Sequence, residues 1–290
     1  MHAEGVAAPL TLFSIPRAFT GIYARLQHNA LQNWAQILPP DNIVLFGDEE
    51  GVLEAAETYG CRHYSCQKND FGTPVLSDVF SRIKAVSKTD YCAFVNADVL
   101  LDPNLQKVIS GILAYADFSK SGFMGVARRW NLDVSEVLDM TLPESFVTLK
   151  KQALAANDLY PPVGMDLFVF PRNFFRAMPP FSIGWPGAKY DNWMLWYALS
   201  QKLPVVDMTD GVTLIHQNHP TGGGADAAKY VEHWRNLRFA GGYGHCYDLE
   251  DVRYTLSSDR MVSPHHKRRY RVWLRRLLQR CRDLCRFEVM

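Results

Sequence analysis

The sequence predicts an α/β protein with a mostly parallel central sheet that carries helices on both faces. Through the first 130 residues, short apolar runs alternate with longer segments of helical periodicity, which is typical of βαβ units. The run YCAFV at 91–95 is apolar throughout, as strands of parallel sheets usually are because both of their faces are buried. The chain has 290 residues, 48% of them hydrophobic and 21% charged. That composition is typical of a globular protein with a large core.

The predicted strands are short, and proline or glycine bounds several of the helices. Apolar residues at helical spacing between 22 and 38 predict a helix that Pro39 and Pro40 end. We expect strands at 10–15, 42–47, 91–98, 122–128, 164–171, 204–209 and 211–219. The last two would pair with each other or form one continued strand. We expect helices at 17–38, 49–60, 75–88, 104–116, 142–156, 191–202 and 225–238.

The sequence indicates a cytoplasmic protein that consists of one domain and a C-terminal tail. There is no internal repeat and no linker that divides the chain. No apolar run approaches the length of a membrane span, and the N-terminus lacks the basic and apolar regions of a secretory signal. The six cysteines form no CxxC pair, so we expect reduced thiols.

The net charge of +1 conceals a basic tail. The chain has 31 basic and 30 acidic residues, and nine of the basic and two of the acidic residues lie between Lys267 and Met290. The rest of the chain therefore has 22 basic and 28 acidic residues and a net charge of about −6. An acidic body does not suit nucleic acid. The tail predicts a basic amphipathic helix within 265–287 that would dock on an anionic membrane surface or a partner protein. Packing of its apolar stripe on the body, or nucleic-acid binding by the tail, are the alternatives.

Polar residues stand where several predicted strands end. In open parallel sheets, ligands bind at the carboxyl ends of the strands. The chain has no GxGxxG after its first strand and no GxxxxGK[ST], so a dinucleotide or P-loop site is not supported. A nucleotide crevice could instead form from the strand-end residues, although Asp98 could equally begin a turn. These residues are Ser14, Ile15, Pro16, Asp48, Asn96, Ala97 and Asp98.

Three motifs resemble the GT-A glycosyltransferases, in particular the family 2-like enzymes. The element Asn96-Ala97-Asp98 looks like the DxD element that holds a divalent cation against the diphosphate of a nucleotide-sugar. The segment KYDNWMLWYAL at 189–199 resembles the acidic helix start that supplies the base of inverting enzymes. The segment VTLIHQNH at 212–219 resembles the late strand that brings a histidine to the metal. The resemblance covers about residues 9–250, and Asn96 departs from the aspartate of many families.

The resemblance implies a glycosyltransferase of polysaccharide biosynthesis. It would move a sugar, with inversion, from a nucleoside-diphosphate-sugar to a hydroxyl of a saccharide or a glycolipid. The strand-end residues would bind the nucleotide-sugar, and Mn²⁺ or Mg²⁺ would lie on Asp98 and His216. Residues 9–130 would form the donor half and 131–250 the acceptor half, with 251–290 as an extension. The enzyme would be cytoplasmic or peripheral on the inner face of a membrane.

The chemistry of the residues agrees with this interpretation. A hard cation needs oxygen ligands and tolerates imidazole, so Asp98 and His216 suit a metal, with His219 as a further candidate. Asp191 at a helix start could be only an N-cap. The helix dipole would also keep it ionised, as a general base requires.

Further residues are assigned by position. The acceptor or the sugar would contact Asp166, Trp185 and Tyr190. The pair Arg128-Arg129 could bind phosphate or lie in a solvated turn, and Phe71–Pro74 could cover the nucleotide.

Two other functions fit the same sheet. A sugar nucleotidyltransferase would carry a glycine-rich basic loop after the first strand, and SIPRAFTG at 14–21 is a poor version of one. A non-catalytic carbohydrate-binding protein could retain the fold without the activity.

Overall fold

The computed structural model describes residues 9–183, 189–220, 227–257, 260–262, 272–279 and 283. The described strands are β1 (Leu10–Ser14), β2 (Ile43–Phe46), β3 (Arg62–Tyr64), β4 (Tyr91–Val95), β5 (Val99–Leu100), β6 (Met124–Ala127), β7 (Arg129–Leu132), β8 (Leu167–Pro171), β9 (Val205–Asp207), β10 (Leu214–Gln217), β11 (Tyr254–Ser257) and β12 (Arg260–Val262).

The described helices are α1 (Gly21–Ile37), α2 (Val52–Tyr59), α3 (Leu76–Val86), α4 (Leu105–Leu113), α5 (Ala116–Ser121), α6 (Pro143–Ala156), α7 (Tyr190–Ser200) and α8 (Ala227–Ala240). Short 3₁₀ turns cover Pro40–Asn42, Tyr243–His245 and Leu249–Asp251. Residues 272–279 form a further helix, the C-terminal helix. None of the helices in the described ranges combines the length and the apolar character needed to cross a bilayer.

The main sheet has the strand order β12-β11-β9-β6-β8-β4-β1-β2-β3. Strand β8 runs antiparallel to β4 and β6, and β12 runs antiparallel to β11. The other neighbouring pairs are parallel. A mostly parallel sheet is what the sequence predicts, and this prediction is confirmed.

Helices cover both faces of the main sheet because side chains alternate along each strand. Leu10 and Leu12 of β1 face a core that includes apolar residues of α1, α2, α4 and α6. Phe13, one residue after Leu12, points to the other face and belongs to a second core that includes residues of α3, α7 and α8. The prediction of helices on both faces is therefore confirmed.

A small second sheet has the order β5-β10-β7. The expectation that the segments 204–209 and 211–219 pair or continue one another is wrong. Strand β9 lies in the main sheet beside β6, whereas β10 lies in the small sheet between β5 and β7. A tight turn separates them, because the N–H groups of Gly211 and Val212 both donate to the carbonyl of Met208 at 2.8 and 3.0 Å.

Several element boundaries differ from the sequence prediction. Helix α1 begins at Gly21 rather than at residue 17, since the N–H of Phe19 donates to Glu50 at 2.7 Å and holds the preceding residues in a loop. The short strands β3, β5, β7, β11 and β12 were not expected. Strand β11 extends the main sheet past residue 250. The division of 9–250 into donor and acceptor halves stays a prediction.

Candidate metal and active site

A cluster of one carboxylate and two imidazoles lies where the two sheets meet. Asp98 sits in the turn between β4 and β5, and β10 pairs with β5 so that His216 is opposite Val99. This register brings His216 Nε2 to 3.6 Å from Asp98 Oδ2. His219, just beyond β10, places its Nε2 at 3.0 Å from the same oxygen. The three ligand atoms lie within 4.8 Å of one another, close enough for one metal ion.

Gln217 fixes the backbone that carries the cluster. Gln217 lies between the two histidines in the sequence, and it is fully buried. Its Nε2 donates to the carbonyl of Asp98 at 2.9 Å and to that of Leu26 at 2.8 Å. Its Oε1 accepts from Asn29 Nδ2 at 2.9 Å. Gln217 is not among the predicted site residues, although an amide inside an apolar strand is itself a signal of a buried hydrogen-bond partner.

Buried polar atoms without hydrogen-bond partners indicate that the cluster could hold a divalent cation. Within the described residues, Asp98 Oδ1 and His216 Nδ1 are buried and have no hydrogen-bond partner. Buried polar atoms are rarely left without a partner, so Asp98 Oδ1, on the carboxylate that both histidines approach, indicates a missing ligand. His219 Nδ1 lies 3.1 Å from the carbonyl of Pro220, the contact that commonly orients a metal-binding imidazole. His219, which the sequence placed second, is thus oriented at least as well as His216.

The protonation states also suit a metal. Burial alone would raise the pKa of Asp98, but the hydrogen bond with His219 and the charges of both histidines hold that pKa below its ordinary value. Burial lowers the pKa of His216, so its imidazole is neutral near pH 7 and can donate a lone pair. The hydrogen bond with Asp98 raises the pKa of His219, because that carboxylate stabilises the charged ring. A cation on Asp98 would replace this proton.

Asn96 faces a second carboxylate. Its Nδ2 donates to Asp166 Oδ1 at 2.5 Å, and Arg129 Nη1 lies 3.0 and 2.8 Å from the two oxygens of Asp166. Asp166 is buried, so the ion pair with Arg129 neutralises it. The guanidinium of Arg129 also stacks on Tyr160, 4.2 Å from the ring centre. Asp166 and Arg129 therefore have protein partners where the sequence expected sugar and phosphate.

Asp191 lies in the first turn of α7 next to a left-handed Lys189. Its Oδ1 accepts from the N–H of Asn192 at 2.8 Å. Burial raises the pKa of Asp191 to about 6, and the hydrogen bond from Asn192 only partly offsets that effect. The loss of water around the carboxylate thus outweighs the hydrogen bond at the helix start, and the expected ionised state is reached above about pH 6. A pKa of about 6 suits a general base near neutral pH.

Tyr190 links Asp191 to the sheet. Its ring packs edge-on against Phe94 of β4, with the ring centres 6.1 Å apart. Burial, followed by the charges of Asp191, Asp166 and Asp98, raises the pKa of Tyr190 well above its ordinary value. Tyr190 packs on Phe94 of β4, and Asp166 accepts from Asn96 just beyond β4, so Asp166 and Asp191 both lie near the end of the strand that Asp98 follows. The structure thus brings Asp98, Asp166 and Asp191 into one region.

The other residues predicted to bind the nucleotide-sugar or the acceptor do not form a cluster of this kind. Ser14 is fully buried and its hydroxyl donates to the carbonyl of Val95 at 2.7 Å, a partner within the sheet rather than a nucleotide. Asp48 is exposed and lies 3.9 Å from His63 Nε2. Ile15 and Pro16 follow β1 at the carboxyl edge, and their nucleotide contacts stay predictions. Trp185 lies outside the described residues.

Comparisons with known proteins find structural but not sequence relatives. No protein-family model and no curated protein matches the sequence. A structure of glucosyl-3-phosphoglycerate synthase from Mycobacterium tuberculosis in complex with Mn²⁺, UDP-glucose and phosphoglyceric acid is 11% identical, covers 81% of this chain and 80% of that chain, and has a TM-score of 0.48. Another, with Mn²⁺ and UDP-glucose, is 12% identical, covers 89% and 86%, and has a TM-score of 0.47. Likeness at this level does not bear on activity, so the functional argument rests on the site itself.

Proposed function

We propose that this protein is a metal-dependent glycosyltransferase that uses a nucleoside-diphosphate-sugar. The observation that carries this proposal is the cluster of Asp98, His216 and His219, in which Asp98 Oδ1 and His216 Nδ1 are buried without partners among the described residues. The cluster lies beyond the carboxyl end of β4, where ligands of open α/β sheets bind. An acidic side chain with a raised pKa, Asp191, belongs to the same region.

Asp98, His216 and His219 would hold Mn²⁺ or Mg²⁺. A bound divalent cation stabilises the charge that develops on a diphosphate leaving group. One carboxylate and two imidazoles favour Mn²⁺, since Mg²⁺ prefers an all-oxygen shell. Asn96 contributes its carbonyl oxygen to the edge of this site, because its amide nitrogen is committed to Asp166.

Asp191 would act on the acceptor. As the acceptor oxygen attacks the anomeric carbon, its proton passes to the carboxylate of Asp191. The bond between the anomeric carbon and the diphosphate breaks, and the nucleoside diphosphate leaves with the bonding electrons. A single displacement of this kind inverts the anomeric centre, so the assignment of Asp191 as base and the assignment of inversion stand together.

The substrates follow from the same assignments. The donor would contact the carboxyl edge near Ile15, Pro16 and Asp48, and the acceptor hydroxyl would approach Asp191. The acceptor would be a saccharide, free or lipid-linked, and the setting the cytoplasm or the inner face of a membrane. Polysaccharide biosynthesis is the role that this reaction would serve.

Calorimetric titration with MnCl₂ tests the metal site without relying on activity. The wild-type chain is expected to bind Mn²⁺, and the variant Asp98→Ala is expected to lose that binding. Asp41→Ala is a matched control, because Asp41 is an exposed carboxylate in the turn before β2, at the opposite edge of the sheet, and pairs with Lys88 at 3.0 Å. Equal Mn²⁺ affinity in wild type and Asp98→Ala would remove the basis of the proposal.

A panel of UDP-, GDP-, dTDP- and CDP-linked sugars then tests the donor. A donor that binds the native state raises the melting temperature by mass action, and this shift should need Mn²⁺. Release of free nucleoside diphosphate identifies a transferase. A requirement for pyrophosphate would instead identify a nucleotidyltransferase, and donor binding without turnover would identify a carbohydrate-binding protein.

A further inference from the structure

The C-terminal helix turns an apolar stripe away from the protein. Trp273 and Leu278 are each 57% exposed, and Leu274 and Leu277 are 42% and 45% exposed. Their spacing of one and four residues places them on one face of a helix. Four large apolar side chains on one face form a patch that a monomer in water rarely presents.

Arginines on the opposite face fasten the helix to the body. Arg275 reaches Asp248 at 2.7 Å and Glu250 at 2.8 Å, and Arg276 Nε donates to Asp251 at 2.8 Å. Arg276 is only 8% exposed, and its guanidinium lies 3.4 Å from the ring centre of Tyr247.

Asp283 adds a further anchor, since it accepts from the N–H groups of Tyr243 and Gly244 at 3.0 and 2.7 Å. The alternative in which the stripe packs on the body is therefore wrong. The arginines make that contact and the stripe faces outward.

The positive charge of the tail indicates which kind of surface the apolar stripe binds. Two of the nine basic residues of the tail are used in these ion pairs, and the other seven are Lys267, Arg268, Arg269, Arg271, Arg280, Arg282 and Arg286. They flank the stripe in sequence, whereas the rest of the chain is acidic. Positive charge beside an apolar stripe is complementary to anionic headgroups over acyl chains.

We propose that the outward face of the C-terminal helix docks this protein on an anionic lipid bilayer. Trp273 and the three leucines enter the interface between headgroups and acyl chains, and the basic residues near them in sequence supply the positive charge that favours an anionic surface. The ion pairs of Arg275 and Arg276 make the docking rigid, because the helix cannot roll without breaking them.

The docking helix is coupled to the candidate base. The segment that receives the arginines also carries Tyr247, whose N–H donates to the carbonyl of Asn192 at 3.1 Å. In return, Asn192 Nδ2 donates to the carbonyl of Tyr247 at 2.7 Å, and Asn192 follows Asp191 directly. The segment that holds the docking helix therefore also contacts the start of α7, where Asp191 lies. With the proposed function as its premise, this arrangement indicates an acceptor that is a lipid-linked saccharide at the membrane surface.

Co-sedimentation of the full chain with vesicles tests the docking. Phosphatidylcholine vesicles with phosphatidylglycerol should bind the protein, and vesicles of phosphatidylcholine alone should bind it about tenfold less. Added salt should weaken the binding, since exposed charges are screened. A triple variant with Leu274→Gln, Leu277→Gln and Leu278→Gln should lose about tenfold or more of its partitioning. The matched control is Val147→Gln with Leu154→Gln, two exposed apolar residues of α6.

Three results would overturn the docking. The first is equal sedimentation of the triple variant and the wild type, and the second is equal binding of the wild type to neutral and to anionic vesicles. The third is a wild type that does not bind vesicles and instead forms a dimer, seen by light scattering, that the triple variant loses. Mn²⁺-dependent binding of the donor panel is measured in parallel without vesicles, because donor binding needs no lipid-linked acceptor. Normal vesicle binding without any donor binding refutes the proposed function and leaves the docking standing, whereas donor binding without vesicle binding does the reverse.

Discussion

Asn96 Nδ2 donates to Asp166 Oδ1 over 2.5 Å. In the segment Asn96-Ala97-Asp98, the residue that contacts this buried carboxylate is therefore an amide. An aspartate at 96 would place two carboxylates in contact, and like charges at this distance cannot both stay ionised at low cost. The departure of Asn96 from the DxD pattern therefore has a structural cause. Asp166, already neutralised by Arg129, requires a donor at this position.

The variant Asn96→Asp should be less stable than the wild type although it restores the motif. We expect the free energy of unfolding to fall by about 1–3 kcal/mol at neutral pH, the usual cost of a buried polar group without its partner. Urea denaturation measures this loss. The double variant Asn96→Asp with Asp166→Asn puts an amide and a carboxylate face to face again and should recover part of the loss. Unchanged stability of Asn96→Asp would show that the contact does not fix the residue type.

The transfer rate should depend on the ionisation of Asp191. Since burial raises the pKa of Asp191 to about 6, the carboxylate accepts a proton only above that pH. The rate at low donor concentration should therefore rise through about pH 6 and then level off. Release of nucleoside diphosphate across this range measures the profile, and Asp191→Asn should lower the plateau by about 10²–10⁴-fold. A flat profile, or a fully active Asp191→Asn that folds normally, would exclude Asp191 as the base.

Much of the fold is local information, which is why the sequence predicts it. Strands β2 and β4 are continuous apolar runs, and the long helices have regular apolar spacing. The missed strands have neither property. Strand β7 begins with Arg129, whose charge is compensated by Asp166 only in the folded chain. Such a strand is defined by its partners rather than by its own composition.

The site divides in the same way. Asp98 and His216 stand at the ends of recognisable strands, so their positions alone indicate a role. The contact between Asn96 and Asp166 joins residues 70 positions apart, and it depends on β8 running antiparallel to β4. The raised pKa of Asp191 depends on burial, which the helix start in the sequence does not reveal.

Replacement of Asp191 by asparagine should stabilise the fold near neutral pH. The pKa of this group in the folded chain is about 6, against 3.8 for an ordinary aspartate. The folded state therefore binds more protons between these values, and stability is lost as the pH rises through about 6. Asp191→Asn removes that loss, and each 1 kcal/mol recovered raises the melting temperature by about 2–4 °C.

The gain should disappear below about pH 4, where the carboxyl is protonated in both states. Asp41→Asn is the control of opposite sign. The hydrogen bond with Lys88 lowers the pKa of Asp41, so its loss should not stabilise the chain at any pH. A melting temperature of Asp191→Asn equal to that of the wild type at pH 7.5 would contradict the raised pKa.

Gln217 should control metal affinity without touching the metal. Its side chain holds the carbonyls of Asp98 and Leu26 and accepts from Asn29, so Gln217→Met removes three hydrogen bonds in a buried place. We expect a loss of about 1–3 kcal/mol in the free energy of unfolding. We also expect a fall of about 10–100-fold in Mn²⁺ affinity, as for other residues that orient metal ligands.

Calorimetric titration with MnCl₂ at a temperature where the variant is folded separates the two effects. Gln201→Met, at an exposed position after α7, is the matched control and should change neither quantity. A stability loss with unchanged Mn²⁺ affinity would mean that Gln217 supports only the strand β10. A fall in affinity in the folded variant would mean that the amide of Gln217 sets the position of the neighbouring ligands Asp98 and His216.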